Sequence, residues 1–215
     1  MTLLDVALWM ALSSPEMAIL LLQEPPLRRP LVLGGYEDAR YQDHDELISE
    51  LVAWFNADVA AAVGCTADQA EIIDPLDPTL VKAWLIQETG GNDRNSLDSW
   101  RVDPGRVNVP GDWNEWKDDL GLTRPVRPNE GDLRTNVRAA IVYLARKGFG
   151  RSGQPPRNNP SGTFDGWEEA LRRYNGRTAE TQNGRTYREN YAQRILDCAG
   201  HPDQHAPIEL PKPKK

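Results

Sequence analysis

The sequence predicts a mainly α-helical protein with one irregular region in its middle. Apolar residues recur at spacings of three, four and seven over several segments, as on one face of a helix. Residues typical of helix starts precede two of these segments, namely Asp77 before Pro78 and Asp132 before Leu133. Residues 92–131, in contrast, are polar and rich in Asp, Asn, Gly, Pro and Trp. We expect an irregular loop there that could hold a small β element.

The predicted helices follow one another along the chain. The first is a long helix over residues 44–64, with Gly64 as its stop. The second begins after Asp77 and ends at Gly90 or Gly91. Three further helices are predicted over residues 132–150, 165–176 and 186–200.

These elements suggest three parts of the chain. Residues 75–200 form the main domain. Residues 1–74 form an N-terminal helical extension, either packed on that domain or preceding it, whose residues 1–23 read as two short core helices. Residues 201–215 are expected to form an extended tail.

Composition and charge exclude several functions. The net charge of −7 argues against binding of nucleic acid or of an anionic membrane through bulk charge. The apolar N-terminus lacks the positive charge of a secretory signal and carries Asp5 instead, and its two short apolar runs make a poor membrane span. We therefore expect synthesis in the cytoplasm without a Sec signal and no membrane span.

The cysteines and histidines predict no metal site. The two cysteines, Cys65 and Cys198, read as free thiols, although a bridge is an alternative if the protein works in the periplasm. The three histidines form no cluster with metal-ligand spacing, so neither a metal nor another cofactor is expected.

Glu88 is the residue that first suggests catalysis. Val81, Trp84, Leu85 and Glu88 share one face of the predicted second helix, so a carboxylate ends an apolar stripe. Burial and the negative end of the helix dipole both favour the protonated form of such a carboxyl group. A glutamate that is protonated near neutral pH can serve as a general acid. The alternative is a side chain that turns into solvent at a frayed helix end.

Three motifs in order resemble the lytic transglycosylase and goose-type lysozyme family. They are Glu88-Thr89 at a helix end, Tyr174-Asn175 after Ala170, and Tyr191 in the last helix. The resemblance covers roughly residues 75–200 and implies a lysozyme-like catalytic domain. It further implies that Glu88 is the catalytic acid, that Thr89, Tyr174 and Asn175 belong to the substrate cleft, and that Tyr191 positions the acid.

The chain departs from this family at two points. The family usually has Ser after the glutamate, and here Thr89 keeps the hydroxyl group. The Gly-Leu-Met-Gln segment that forms the cleft floor in the family is absent, and residues 102–116 stand in its place. Val107-Asn108-Val109 is the candidate counterpart of that segment.

The resemblance implies cleavage of the β-1,4 bond between N-acetylmuramic acid (MurNAc) and N-acetylglucosamine (GlcNAc) in peptidoglycan. A muramidase would need a second carboxylate, for which Asp98, Asp103 and Asp112 are candidates, although loop aspartates are more often turn or cap residues. A lytic transglycosylase would need Glu88 alone. Trp100, Trp113, Trp116 and Tyr174 could offer aromatic surface to sugar rings, although Trp113 or Trp116 could instead anchor the loop to the domain.

The expected partner is a peptidoglycan glycan strand. Because the substrate lies outside the cytoplasm, delivery to the periplasm by a secretion system or a phage lysis route is expected. A bacteriolytic effector of this kind would have a cognate immunity protein. The alternative is a non-enzymatic module on the same scaffold that binds peptidoglycan or protein, such as a phage tail or secretion-machine component.

Overall fold

The computed structural model describes residues 33–34, 36, 38–90, 93–149 and 162–200. The helices predicted within residues 1–23 and the tail predicted over 201–215 lie outside these residues. None of the helices in the described ranges is long and apolar enough to cross a membrane. Cys65 and Cys198 are both free thiols.

The prediction of a mainly α fold is confirmed. In the described part of the chain, eight α-helices account for most residues: α1 Asp45–Ala57, α2 Val59–Val63, α3 Ala67–Glu71, α4 Pro78–Thr89, α5 Arg94–Val102, α6 Leu133–Gly148, α7 Trp167–Asn175 and α8 Tyr187–Gly200. Two short 3-10 helices, Ala39–Gln42 and Glu115–Lys117, lie between them. The only β pairing among these residues is two isolated antiparallel bridges, Phe149 with Phe164 and Glu180 with Thr186.

Two predictions about individual elements were wrong. The long helix expected over 44–64 is broken at Asp58, whose backbone leaves the helical region and whose carboxylate accepts the N–H of Ala61, 3.0 Å away, to begin α2. The segment expected to be an irregular loop with a small β element begins instead with α5. Asp93 caps this helix, which is too short and too polar to give a clear apolar period.

Helix α4 is surrounded by protein. All residues from Leu80 to Ile86 are buried, and the helix packs against α1, α5 and α8. The predicted apolar stripe is therefore part of a helix that is buried on every side along its middle turns. Asp77 caps its start, with the N–H of Thr79 donating to the aspartate at 2.8 Å, and Pro78 occupies the first helical position.

One charged side chain, Lys82, is fully buried in α4. Its Nζ lies 2.8 Å from Oδ1 of Asp45 in α1 and donates to Oε1 of Gln42, also at 2.8 Å. The other oxygen of Asp45 accepts the backbone N–H of Leu33, 2.8 Å away. Because a buried charge needs a partner, this pair fixes how α1 lies against α4.

The described part of the N-terminal region shares one core with the main domain. Phe55 of α1 meets Trp167 of α7 edge to face, with ring centroids 6.0 Å apart. The indole N–H of Trp167 donates to the carbonyl of Asp74, 2.9 Å away. Ile48 and Trp84 belong to the same hydrophobic cluster. Residues 38–74 are thus packed against the helices that follow them.

We predict that Lys82→Met lowers the free energy of unfolding by about 3–5 kcal/mol, because Asp45 would remain buried without its counter-charge. Urea denaturation would measure the loss. The double variant Lys82→Met/Asp45→Asn removes the unpaired charge and keeps an oxygen for the N–H of Leu33. It should recover a large part of the lost stability, and a double variant no more stable than the single one would contradict this account.

Candidate active site

Glu88 lies in the last turn of α4, where the buried helix reaches an open pocket. Its side chain is partly exposed, and the hydroxyl group of Tyr191 in α8 donates a hydrogen bond to its Oε1. Tyr191 is itself buried. Glu88 is therefore held by Tyr191 on one side and lines the pocket on the other.

The surroundings of Glu88 raise its pKa from 4.5 to about 7. Burial is the main cause, because it disfavours the charged carboxylate. The hydrogen bond from Tyr191 and the positive charge of Arg106 lower the pKa, while the negative charge of Asp103 raises it. The result is a carboxyl group that can both give and take a proton near neutral pH.

The pocket around Glu88 has a volume of about 500 Å³. It is formed by the ends of α4 and α7, by α8 and by the loop that follows α5. The lining residues are Gln87, Glu88, Arg106, Val109, Asp112, Tyr174, Asn175, Arg177 and Tyr191. Four residues singled out by the family resemblance or by aromatic chemistry, Glu88, Tyr174, Asn175 and Tyr191, thus come together at one site.

The loop over residues 103–112 forms one wall of the pocket and is built around Asp103. This buried carboxylate accepts the backbone N–H groups of Val107, at 3.0 Å, and of Asn108, at 2.9 Å. Gly105 comes so close to α6 that a Cβ atom there would lie 2.6 Å from the Cβ of Ala140. The loop is therefore held tightly without regular secondary structure.

Tyr174 connects this loop to the helices. Its hydroxyl group donates to the carbonyl of Gly105. Its ring meets Trp84 edge to face at 4.9 Å and Tyr143 at 5.7 Å. Burial keeps the pKa of Tyr174 well above its usual range. Tyr174 therefore serves as a neutral hydrogen-bond donor that fixes the loop while one side of it lines the pocket.

The three candidate second carboxylates have different environments. Asp98 is absent from the pocket lining and forms an exposed ion pair with Arg94, at 3.6 Å. Asp103 is buried and engaged by two backbone N–H groups, as described above. Asp112 alone lines the pocket with Glu88, and it pairs with the buried Nζ of Lys117 at 3.0 Å. Of the three aspartates, Asp112 is thus the one that shares the pocket with Glu88.

Three residues predicted to bind substrate contact other parts of the protein. The hydroxyl group of Thr89 donates to the carbonyl of Leu85 within α4, at 2.8 Å. Trp100 is buried, and its ring stacks on His44 with centroids 4.7 Å apart. The indole N–H of Trp113 donates to Asp118 at 2.7 Å. None of the three lines the pocket.

Two cationic residues of the pocket, Arg106 and Arg177, were not predicted. Arg106 has a φ of 51°, in the left-handed region that few residues other than glycine adopt. The Pro104-Gly105 pair before it marks a turn, so its loop position could have been read from the sequence. Arg177 follows the predicted helix stop at Gly176. No sequence pattern brings these two arginines to the same pocket.

Comparisons of this chain with protein-family models, with curated proteins and with solved structures found no match.

Because the pKa of Glu88 is raised, the folded protein holds a proton between pH 4.5 and 7 that the unfolded chain releases. Stability should therefore fall as the pH rises through this range. We predict that Glu88→Gln, which keeps an oxygen for Tyr191, is more stable than the wild type at pH 8, by up to about 3 kcal/mol, and little different at pH 4. Denaturation at a series of pH values would measure this difference.

Glu50→Gln provides a control of opposite sign. Hydrogen bonds from Arg134 lower the pKa of Glu50, so its contribution to stability is present above its unfolded pKa and lost as the pH falls. Its replacement should therefore destabilise the protein at pH 8. If Glu88→Gln were less stable than the wild type at pH 8, the charged form of Glu88 would not destabilise the folded protein, and this prediction would be wrong.

Tyr191→Phe removes a hydrogen bond that lowers the pKa of Glu88. We predict that the pKa of Glu88 rises above 7 in this variant, because its carboxylate form loses a donor. Carbon-13 NMR titration of the glutamate carboxyl groups would follow it, with the Glu88→Gln spectrum for assignment. An unchanged or lower pKa would contradict the assigned role of Tyr191.

Proposed function

We propose that this protein is a peptidoglycan glycosidase that cleaves the β-1,4 bond between MurNAc and GlcNAc, with Glu88 as general acid and then base. The observation that carries the proposal is the carboxyl group of Glu88, with a pKa of about 7, in the lining of an open pocket. General-acid catalysis is most effective when the pKa lies near the working pH. The resemblance of the Glu88, Tyr174-Asn175 and Tyr191 motifs to lytic transglycosylases supplies the substrate class.

In the first step, Glu88 gives its proton to the glycosidic oxygen as the bond to C1 of MurNAc breaks. The GlcNAc hydroxyl group leaves, and positive charge develops on the sugar ring. The Glu88 carboxylate formed in this step keeps the hydrogen bond from Tyr191, which stabilises the negative charge. The same carboxylate is then available to take up a proton in the second step.

The environments of the aspartates support the anhydro-forming reaction over hydrolysis. Asp103 is buried and engaged by two backbone N–H groups, and one oxygen of Asp112 pairs with Lys117, so hydrolysis would rely on a carboxylate that already has a protein partner. In a lytic transglycosylase, Glu88 would remove the proton of the C6 hydroxyl group as its oxygen attacks C1. This step closes a 1,6-anhydro ring on MurNAc and returns Glu88 to its acid form.

The proposal extends to where the enzyme acts. Because peptidoglycan lies outside the cytoplasm, we propose that the protein is a bacteriolytic effector that reaches the periplasm through a secretion system or a phage lysis route. A cognate immunity protein would then be its natural inhibitor. An open pocket with its acid partly exposed is a surface that such an inhibitor could cover.

Mass spectrometry of digested peptidoglycan tests the reaction. We expect wild-type protein to release muropeptides that are one water lighter than hydrolysis products, and Glu88→Gln to lose this activity by at least about 100-fold. Asp112→Asn should still form anhydro products. Asp68→Asn, an exposed change on α3, serves as the control.

Two other outcomes would contradict the proposed anhydro-forming reaction and indicate a different function. Products with a free reducing end that disappear in Asp112→Asn would indicate a muramidase in which Asp112 activates water. Wall binding without any products, equal in the wild type and in Glu88→Gln, would indicate a binding module on this scaffold.

A further inference from the structure

The pocket around Glu88 carries positive charge in a protein that is acidic as a whole. The net charge of the chain is −7, yet two of the nine residues that line the pocket are arginines, Arg106 and Arg177. The acidic lining residues are Glu88, which is protonated below a pH of about 7, and Asp112, which pairs with Lys117. The uncompensated charge of the pocket is therefore positive near neutral pH.

Arg106 is presented by a rigid piece of backbone. Its own N–H donates to the carbonyl of Asp103 at 2.9 Å, and the next two N–H groups donate to the carboxylate of Asp103. The left-handed conformation of Arg106, with a φ of 51°, is thus maintained by the surrounding hydrogen bonds. A strained residue held in this way at a pocket is a frequent feature of functional sites.

Arg177 approaches the pocket from the other side. Its backbone follows the left-handed Gly176 that ends α7, and its N–H donates to the side chain of Asn175 at 3.3 Å. Its carbonyl accepts the N–H of Arg188 at the start of α8, at 3.1 Å. Its guanidinium group lies 5.7 Å from the ring of Tyr187. Both ends of this short connection are therefore tied to helices.

Both guanidinium groups act electrostatically on the same carboxyl group, that of Glu88. Both residues line the pocket beside Glu88, and their positive charges lower the pKa of its carboxyl group. Among the described residues, neither Arg106 nor Arg177 forms an ion pair with an acidic side chain. Arginines that are not neutralised beside a pocket are suited to bind carboxylate groups through two parallel hydrogen bonds.

We propose that Arg106 and Arg177 form a carboxylate-binding subsite next to Glu88, so that the enzyme selects glycan that carries an acidic substituent. This inference rests on the proposed function for the identity of the ligand. In peptidoglycan, the carboxylate belongs either to the lactyl group of MurNAc or to the peptide attached to it. A neutral polymer of GlcNAc has neither group and would be a poor ligand.

Calorimetry on the Glu88→Gln variant tests the subsite without turnover. The ligands are a MurNAc-containing tetrasaccharide with free lactyl carboxylates, the same compound with these groups converted to amides, and a peptide-bearing tetrasaccharide. We expect the acidic tetrasaccharide to bind about tenfold more tightly than its amide, and this preference to shrink at high salt. The peptide-bearing ligand distinguishes the lactyl from the peptide carboxylate as the source.

Substitution of the two arginines gives the matched comparison. Arg106→Gln and Arg177→Gln should each reduce the affinity for the acidic ligand by about three- to tenfold and leave binding of the amide unchanged. Arg94 is exposed and pairs with Asp98 outside the pocket, so Arg94→Gln should leave the affinity for both ligands unchanged. Thermal unfolding of each variant verifies that it is folded. Equal affinity for the acid and the amide, or no binding of either, would overturn the proposed subsite.

The outcomes for the subsite and for the glycosidase are separable. If the wild type cleaves peptidoglycan but shows no preference for carboxylate-bearing ligands, the proposed subsite is refuted and the proposed glycosidase activity is retained. A preference for carboxylate that depends on both arginines, without cleavage, would refute the glycosidase and leave an anionic-glycan binding site.

Discussion

Helix α4 is buried on every side between Leu80 and Ile86, and this burial determines where Glu88 lies and what surrounds it. The Lys82–Asp45 pair fixes α4 against α1, and Tyr191 of α8 packs beside its last turn. The apolar surroundings that stabilise the fold are also those that raise the pKa of Glu88. Stability and proton affinity at this site therefore have the same origin, and a change in the packing of α4 should alter both.

The second constraint concerns the loop after α5, which forms one wall of the Glu88 pocket without regular secondary structure. Buried backbone N–H groups need acceptors, and Asp103 provides them for two successive residues. The missing Cβ of Gly105 allows the loop to approach α6. With the backbone fixed in this way, the side chains of Arg106, Val109 and Asp112 face the pocket. The carboxylate of Asp103 thus contributes to the site by shaping the loop.

Sequence patterns were informative where local interactions decide the structure. Apolar periodicity located α4, α6, α7 and α8, and the capping residues Asp77 and Asp132 also marked the starts of α4 and α6. The sequence also singled out Glu88 and Tyr191, which form a hydrogen bond. Sequence patterns were not informative about contacts between residues that are far apart in the chain. Trp100, for example, was expected to offer its surface to sugar rings, but it is buried and stacks on His44. The two pocket arginines come from segments far apart in the chain, and no local period relates them.

Arg106 and Arg177 influence whether Glu88 is protonated and can act as general acid. Each lowers the pKa of Glu88, while burial raises it, and the balance lies at about 7. On the proposed mechanism, an anionic substituent bound to the arginines would offset their charge and add its own negative field near Glu88. The carboxyl group would then hold its proton more firmly in the complex than in the free enzyme. Binding of an acidic glycan would thereby help to keep the general acid protonated, whereas a neutral glycan would leave it half ionised at pH 7.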